Sequence, residues 1–166
     1  MFKFACILQV QIYKSAFDLQ VLFKLFLKIF YFMIEPRSEC PLSYSLDIFG
    51  DKWSLLIIRD LMFTNKCTYN DFIKSAEGIA TNILAARLKS LEENGIIEKL
   101  DHPDSKAKKL YKLTQKGIEL LPIIMEIYFW TDKYFTMPAA LKATIKEAKK
   151  DKEKFIKQVW KELKSK

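Results

Sequence analysis

Turn-forming residues are scarce in this chain: four glycines and five prolines among 166 residues. That scarcity favours long helices joined by few turns. Histidine is nearly absent, with His102 alone. No Ser/His/Asp triad, metal-ligand cluster or glycine-rich phosphate loop accompanies it, so acid–base or phosphoryl chemistry has little to use. The expectation is a protein that is not an enzyme and needs no cofactor or metal. Cysteine is sparse too. Cys6, Cys40 and Cys67 are odd in number, far apart and without CxxC or Cys/His spacing, which points away from a zinc site or a disulfide framework. A reducing cytoplasm suits such a chain.

What the sequence has is apolar bulk, with 50% hydrophobic and 14% aromatic residues, and a net charge of +8. The first two figures exclude a disordered chain, and the length suits one domain with extensions. The charge is unevenly placed. Residues 1–35 carry four lysines against two acids, residues 36–135 carry 14 basic against 14 acidic residues, and residues 136–166 carry ten lysines against four acids. Bulk charge therefore does not argue for nucleic-acid binding by the central part; local placement must. Ser105 to Lys112 supplies such a cluster, with Lys106, Lys108, Lys109 and Lys112 and no acid.

Residues 1–35 form an apolar extension. Its core, Val21 to Ile34, is interrupted by Lys24 and Lys28. The run is short of the roughly 20 residues of a membrane span, and each lysine near the bilayer centre costs about 2.5–3.5 kcal/mol. No small-residue cleavage pattern marks a secretory signal. Three readings stay open: a helix packing on the body or on a partner subunit, an upstream stretch with Met33 as the true start, or a membrane-associated segment.

Pro36 breaks the chain and opens a central domain, residues 36–135. Leu42, Leu46 and Phe49 predict a short helix ending at Gly50. Asp51 caps the next, Asp51 to Phe63, with Trp53, Leu56, Ile57 and Leu61 as its apolar face. Thr68-Tyr69-Asn70-Asp71 resembles a capping box and starts a short helix that carries Phe72 and Ile73 inward. After a turn at Ser75 to Gly78 comes the most informative stretch. Leu84, Leu88 and Leu91 stand at i, i+4 and i+7, one buried stripe of a helix Thr81 to Glu93. Asn82, Ala86, Lys89 and Glu93 lie opposite, with Ala85 on the shoulder, so the free face begins with small or polar side chains. Asn94-Gly95 ends this helix. Ile96 to Leu100 reads as a strand, Asp101 to Ser105 as a turn and Lys109 to Leu113 as a weaker strand, in which Leu110 spoils the alternation. Two readings fit: a helix-turn-helix whose second helix reads DNA beside a hairpin wing, or an ordinary surface helix packed on a hairpin.

Thr114 caps a helix predicted to run to about Phe135. Gly117 and Pro122 weaken its first half, and Pro122 leaves the carbonyl of Ile118 unpaired. Its later part is apolar all round, which requires burial on several sides. Ile124, Ile127, Tyr128 and Trp130 are accordingly the expected homodimer interface, with core packing beneath the N-terminal extension as the alternative. Pro138 to Lys166 reads as one basic amphipathic helix with Leu141, Ile145, Ala148, Phe155, Ile156, Val159, Trp160 and Leu163 as its stripe. It makes up nearly all of a C-terminal segment, residues 136–166, and Glu153 with Lys157 suits an i, i+4 pair. The predicted fold is mainly α with a small β-hairpin wing, a winged helix-turn-helix that dimerises through its terminal helices.

Particular residues carry a resemblance. Cys40-Pro41, then Leu46-Asp47-Ile48-Phe49-Gly50-Asp51-Lys52-Trp53 and Leu55-Leu56-Ile57-Ile58-Arg59-Asp60-Leu61, resemble the opening signature of the HxlR-type winged-helix regulators, relatives of the MarR group. The likeness continues through Tyr69-Asn70-Asp71-Phe72, Gly78-Ile79, Arg87-Leu88, Leu91-Glu92, Gly95-Ile96-Ile97 and Tyr111 to Gly117, and closes at Pro122. It implies a homodimer that binds double-stranded promoter DNA and regulates transcription, and two copies would read a pseudo-palindromic operator. Some members of that family sense electrophiles, oxidants or aldehydes through a cysteine resembling Cys40, so a small-molecule or oxidant effector is implied as well. Cys40 precedes a helix start, a setting that raises thiol reactivity; a small residue in a packed joint is the other reading. Three departures stand out. Ala80 replaces the usual serine at the start of the reading helix, Ser105 to Lys109 lacks the usual proline-rich run with arginine, and Gly50-Asp51 replaces Gly-Gly.

On this reading Thr81, Asn82 and Ala85 face base edges. Arg87 and Lys89 contact flanking phosphates, and Lys106, Lys108 and Lys109 grip the adjacent backbone from the wing. A peripheral membrane or protein-interaction module built on the terminal amphipathic segments is the rival reading.

Overall fold

The computed structural model describes residues 38–103 and 105–165, with the side chains of Lys106 and Ala107 outside that set. The apolar segment 1–35 and its three readings fall outside the described residues. The chain divides between Tyr44 and Ser45 into two compact units. Helices α1 (Pro41–Phe49), α2 (Ser54–Phe63), α3 (Tyr69–Ile73) and α4 (Thr81–Glu93) come first, then strands β1 (Ile97–His102) and β2 (Ser105–Leu113). Helices α5 (Gln115–Ile118), α6 (Leu121–Tyr134), α7 (Ala139–Lys150) and α8 (Lys152–Lys164) complete the chain. This is a winged helix-turn-helix with a two-stranded antiparallel hairpin.

Several boundaries follow the sequence. Thr68 and Asp71 form a reciprocal capping box at α3. Helix α4 spans Thr81 to Glu93 and buries Leu84, Leu88 and Leu91. Gly95, at φ 66°, closes it in the left-handed region, as the Ile96 amide reaches back to the Leu91 carbonyl at 2.9 Å.

Other boundaries move. Helix α2 starts at Ser54 rather than Asp51, because the Asp51 carboxylate accepts from the Trp53 and Ser54 amides at 2.8 and 3.0 Å and so stands outside the helix it caps. Its inward face is Ile57, Ile58, Leu61 and Met62, while Trp53 and Leu56 are only half-buried. The wing is longer than alternation suggested. Leu110 sits opposite Leu100 and also bridges Thr68, so the residue that spoiled the pattern is held from both sides. Ile97, Tyr111 and Leu113 share the buried face of the hairpin, with Tyr111 against Phe72 at 6.1 Å between ring centroids.

The predicted long helix after Thr114 is two. Thr114 caps the short α5, accepting from the Gly117 amide at 3.2 Å. The chain then breaks at Glu119–Leu120, and Pro122 falls in the first turn of α6, where a missing N–H costs nothing. The Ile118 carbonyl is not left unpaired, since the Trp160 indole N–H donates to it at 3.2 Å. The predicted last helix is also two. Asp151 interrupts it with an extended backbone and caps α8 by accepting from the Lys154 amide at 2.9 Å. Ile145, Ala148 and Leu163 form the buried part of its stripe, and Glu153 pairs with Lys157 at 3.7 Å.

Of the expected dimer contacts, Ile124 is 4% exposed and belongs to the protomer's own core with Leu121 and Met125. Helix α6 is amphipathic after all: one side is buried within the protomer, and the other leaves Ile127, Trp130 and Tyr134 exposed. Tyr128 is half-buried.

Candidate nucleic-acid interface

Helix α4 is presented by the elements that clamp its far side. Its leucine stripe is sealed, which turns Thr81, Asn82, Ala85, Ala86 and Lys89 to the surface. Ala80 occupies the N-cap position and offers no side-chain bond. Thr81 lies one position inside the helix and does not replace the missing cap. The Tyr69 hydroxyl instead donates to the Thr81 carbonyl at 2.7 Å and ties the first turn of α4 to α3.

A buried carboxylate fixes the approach to this helix. Asp60 is 2% exposed. Its carboxylate accepts from the Arg59 guanidinium at 2.6 and 3.0 Å, from the Lys66 ammonium at 3.1 Å and from the Ser75 hydroxyl at 2.7 Å. Arg59 reaches on to Glu77 at 2.6 Å, and Lys66 donates to Ser75 at 2.8 Å. This network pins α2 to both turns that flank α3. Burial pushes the Asp60 carboxyl up, but the Ser75, Arg59 and Lys66 hydrogen bonds and the Arg59 charge outweigh it and hold it below the ordinary value. Glu77 is held low mainly by its bond from Arg59, and Asp71 mainly by its bond from Thr68.

These depressed carboxylates carry a pH dependence. A carboxyl whose folded value lies below its unfolded value contributes stability that is complete above the unfolded value and is lost as pH falls through the folded one. The protein is therefore expected to hold its urea midpoint from neutral pH down to about pH 5 and to lose it progressively below about pH 4. An unchanged midpoint between pH 6 and pH 3 would show that these carboxylates do not stabilise the fold.

Two expected phosphate contacts are otherwise engaged. Arg87 is drawn to Asp51 at 3.3 Å, so the residue that departs from Gly-Gly both caps α2 and anchors α4. Lys109 pairs with Asp101 across the hairpin. Lys89 makes only an exposed pair with Glu93 at 3.7 Å. Lys108 is exposed, and the Lys106 side chain is outside the described set. Lys74 and Lys99, which the sequence did not single out, line a polar depression between α3 and the wing with Tyr69, Asn70, His102 and Lys108. Their signal in sequence is slight, an exposed lysine one position past α3 and another mid-strand. Only the fold makes them neighbours. His102 ends β1 rather than standing in the wing turn.

The family model for the HxlR-like helix-turn-helix matches residues 48–138. The chain belongs to that family. This HxlR-like protein is a DNA-binding transcriptional regulator by family. It is 33% identical over 99 residues to the HTH-type transcriptional regulator YodB of Bacillus subtilis, an alignment covering 59% of this chain and 88% of that one. It is 30% identical over 94 residues to the HTH-type transcriptional regulator sll1512 of Synechocystis, covering 57% and 69% respectively. Among solved structures, the redox regulator HypR in its oxidized form is similar at 27% identity and a TM-score of 0.52, over 59% of this chain and all of that one. The HxlR-like match ends before α7 and α8. Among the described residues no helix is long and apolar enough to cross a membrane, and no group of acidic, cysteine or histidine side chains could hold a metal.

Proposed function

We propose that this HxlR-like regulator acts in the cytoplasm as a homodimer on a pseudo-palindromic operator, each protomer laying α4 into a major groove. Residues 36–135 are the DNA-binding domain, residues 1–35 an N-terminal extension and residues 136–166 a basic C-terminal element. The observation that carries the reading is the exposure of Thr81, Asn82 and Ala85 at the start of a helix whose opposite side is sealed. Asn82 pairs with an adenine edge and Ala85 meets a thymine methyl. The uncapped first turn takes a phosphate oxygen. Lys106, Lys108 and Lys89, joined by Lys74 and Lys99, hold the flanking backbone, while Arg87 keeps α4 in place through Asp51. The exposed aromatic side of α6, with Ile127, Trp130 and Tyr134, meets the second copy.

Asn82→Ala should lower discrimination at one base pair of the operator by about 1–3 kcal/mol. Lys99→Ala and Lys108→Ala should instead weaken every duplex alike and each reduce the salt slope by about one. Competition binding on an operator and on scrambled DNA across a salt series checks both. Equal losses on every sequence from all three variants would overturn the assigned roles.

The exposed thiol of Cys40 is the proposed redox- or electrophile-responsive group. The likeness to HypR, a redox regulator by name, supports it. Burial, and secondarily the Asp71 charge, push the Cys67 thiol up, which disfavours its reactive thiolate. Cys40→Ser is expected to retain operator binding and lose its response to peroxide or quinone. A full response in that variant would remove Cys40 from the mechanism.

A further inference from the structure

A cleft of about 310 Å³ opens between the wing, α2 and α8, and it shares Tyr111 with the polar depression beside α3. Leu100 and Leu110, directly opposite each other on the hairpin, form its floor. Leu61 closes it from α2 and Leu163 from α8, with Cys67 on the connecting turn. The hairpin's other face already packs in the core through Ile97, Tyr111 and Leu113. The outward leucine pair is thus no part of that core, and Leu100 remains 42% exposed.

One cation at this apolar site is not drawn into an ion pair, although Glu98 stands opposite it on the hairpin. Lys112 follows Leu110 on the same face of β2 and is half-buried, and its ammonium makes no ion pair or hydrogen bond among the described residues. Lys66 also lines the cleft, but its ammonium is held by Asp60 and Ser75. A site with leucine walls and one available ammonium has the chemistry of a clamp for an amphipathic anion. Apart from the buried ring of Tyr111, its apolar walls are branched aliphatic chains, which suits a flexible alkyl tail better than a flat aromatic one.

We infer that this cleft binds a small alkyl monocarboxylate, its tail between Leu100, Leu110 and Leu163 and its carboxylate on Lys112. The placement makes it an effector site. Strand β2 is joined to the turn before α3 by the Tyr111 amide donating to the Cys67 carbonyl at 2.7 Å and by the bridge between Leu110 and Thr68. Its other wall, Leu163, belongs to α8, beyond the family match at residues 48–138. A ligand between them changes the attitude of the wing to the helix-turn-helix, a consequence that rests on the DNA-binding reading above.

Calorimetric titration of the full chain with octanoate, octan-1-ol and octylammonium, in the absence of DNA, tests the pocket first. Octanoate should saturate one site per protomer below millimolar concentration, and octylammonium should not bind. Lys112→Met should weaken octanoate about tenfold and leave octan-1-ol unchanged, Lys112→Arg should restore octanoate, and Leu100→Asp should weaken both octanoate and octan-1-ol. Failure of octanoate to saturate, or equal loss of octanoate and octan-1-ol in Lys112→Met, overturns the proposal. Operator binding with and without octanoate is then scored separately. Saturable octanoate binding with unaltered operator affinity supports the pocket and overturns its regulatory coupling. Octanoate binding by a protein that ignores every duplex supports the pocket and overturns the operator reading instead.

Discussion

Asp60→Ala is expected to destabilise the protein by about 1–3 kcal/mol, the cost of taking a buried acceptor away from the donors that converge on it. The reason is what remains. Arg59 and Lys66 keep their charges beside a cavity, and Ser75 loses the acceptor that holds the turn before α4. For a domain whose whole stability is of order 5–15 kcal/mol, that is a large share. Asp60→Asn preserves the shape but not the charge, and should still cost more than a surface substitution. Urea denaturation of both variants decides the matter. A loss below about 1 kcal/mol for Asp60→Ala would place it among ordinary exposed ion pairs and void the argument. The variant that still folds should bind operator less tightly without a change of preferred sequence, because the network orients α4 and touches no base.

Gly117→Ala reverses the usual helix arithmetic. By propensity alone, replacing glycine with alanine in a helix is worth about 1 kcal/mol of stabilisation. Here an added Cβ would stand 2.2 Å from the Ile96 carbonyl oxygen and 3.0 Å from a Leu113 methyl group. The first of these is backbone and cannot swing aside. That same carbonyl accepts from the Thr114 amide at 3.1 Å, so moving it loosens the joint between the wing and α5. The expected outcome is a loss of about 1–3 kcal/mol, in the range of overpacked cores. A thermal midpoint equal to or above that of the parent protein would refute the close approach. Gly95→Ala is the useful comparison, since nothing lies near its added Cβ and its cost comes from the positive φ alone.

Gly117 also shows where sequence reading stops. Inside a predicted helix it counts as a weakness, because propensity concerns the isolated segment. Its role is set by Ile96, in the turn before β1 some twenty residues earlier. The same holds for Pro122, which the sequence placed mid-helix, and for the Ile118 carbonyl, whose partner Trp160 lies 42 residues on. No local window contains such pairs.

The sequence by itself determined the helix-turn-helix frame. The leucine stripe of α4, the Thr68–Asp71 capping box and the Asn94-Gly95 stop are each governed by contacts within a few residues, so their spacing alone specifies them. The exposed positions Thr81, Asn82 and Ala85 follow from the same periodicity, and the family likeness rests on that frame. Only the tertiary structure decided which charges are available. Arg87 and Lys109 looked free as letters, yet Asp51 and Asp101 hold them, while Lys74 and Lys99 had no distinction until the fold set them beside a groove, and Lys112 was one of four clustered lysines until the fold set it at an apolar cleft. The physical reason is range. Periodicity and capping act along the chain, whereas the environment of a charge is set by whatever segments pack around it, however distant in sequence.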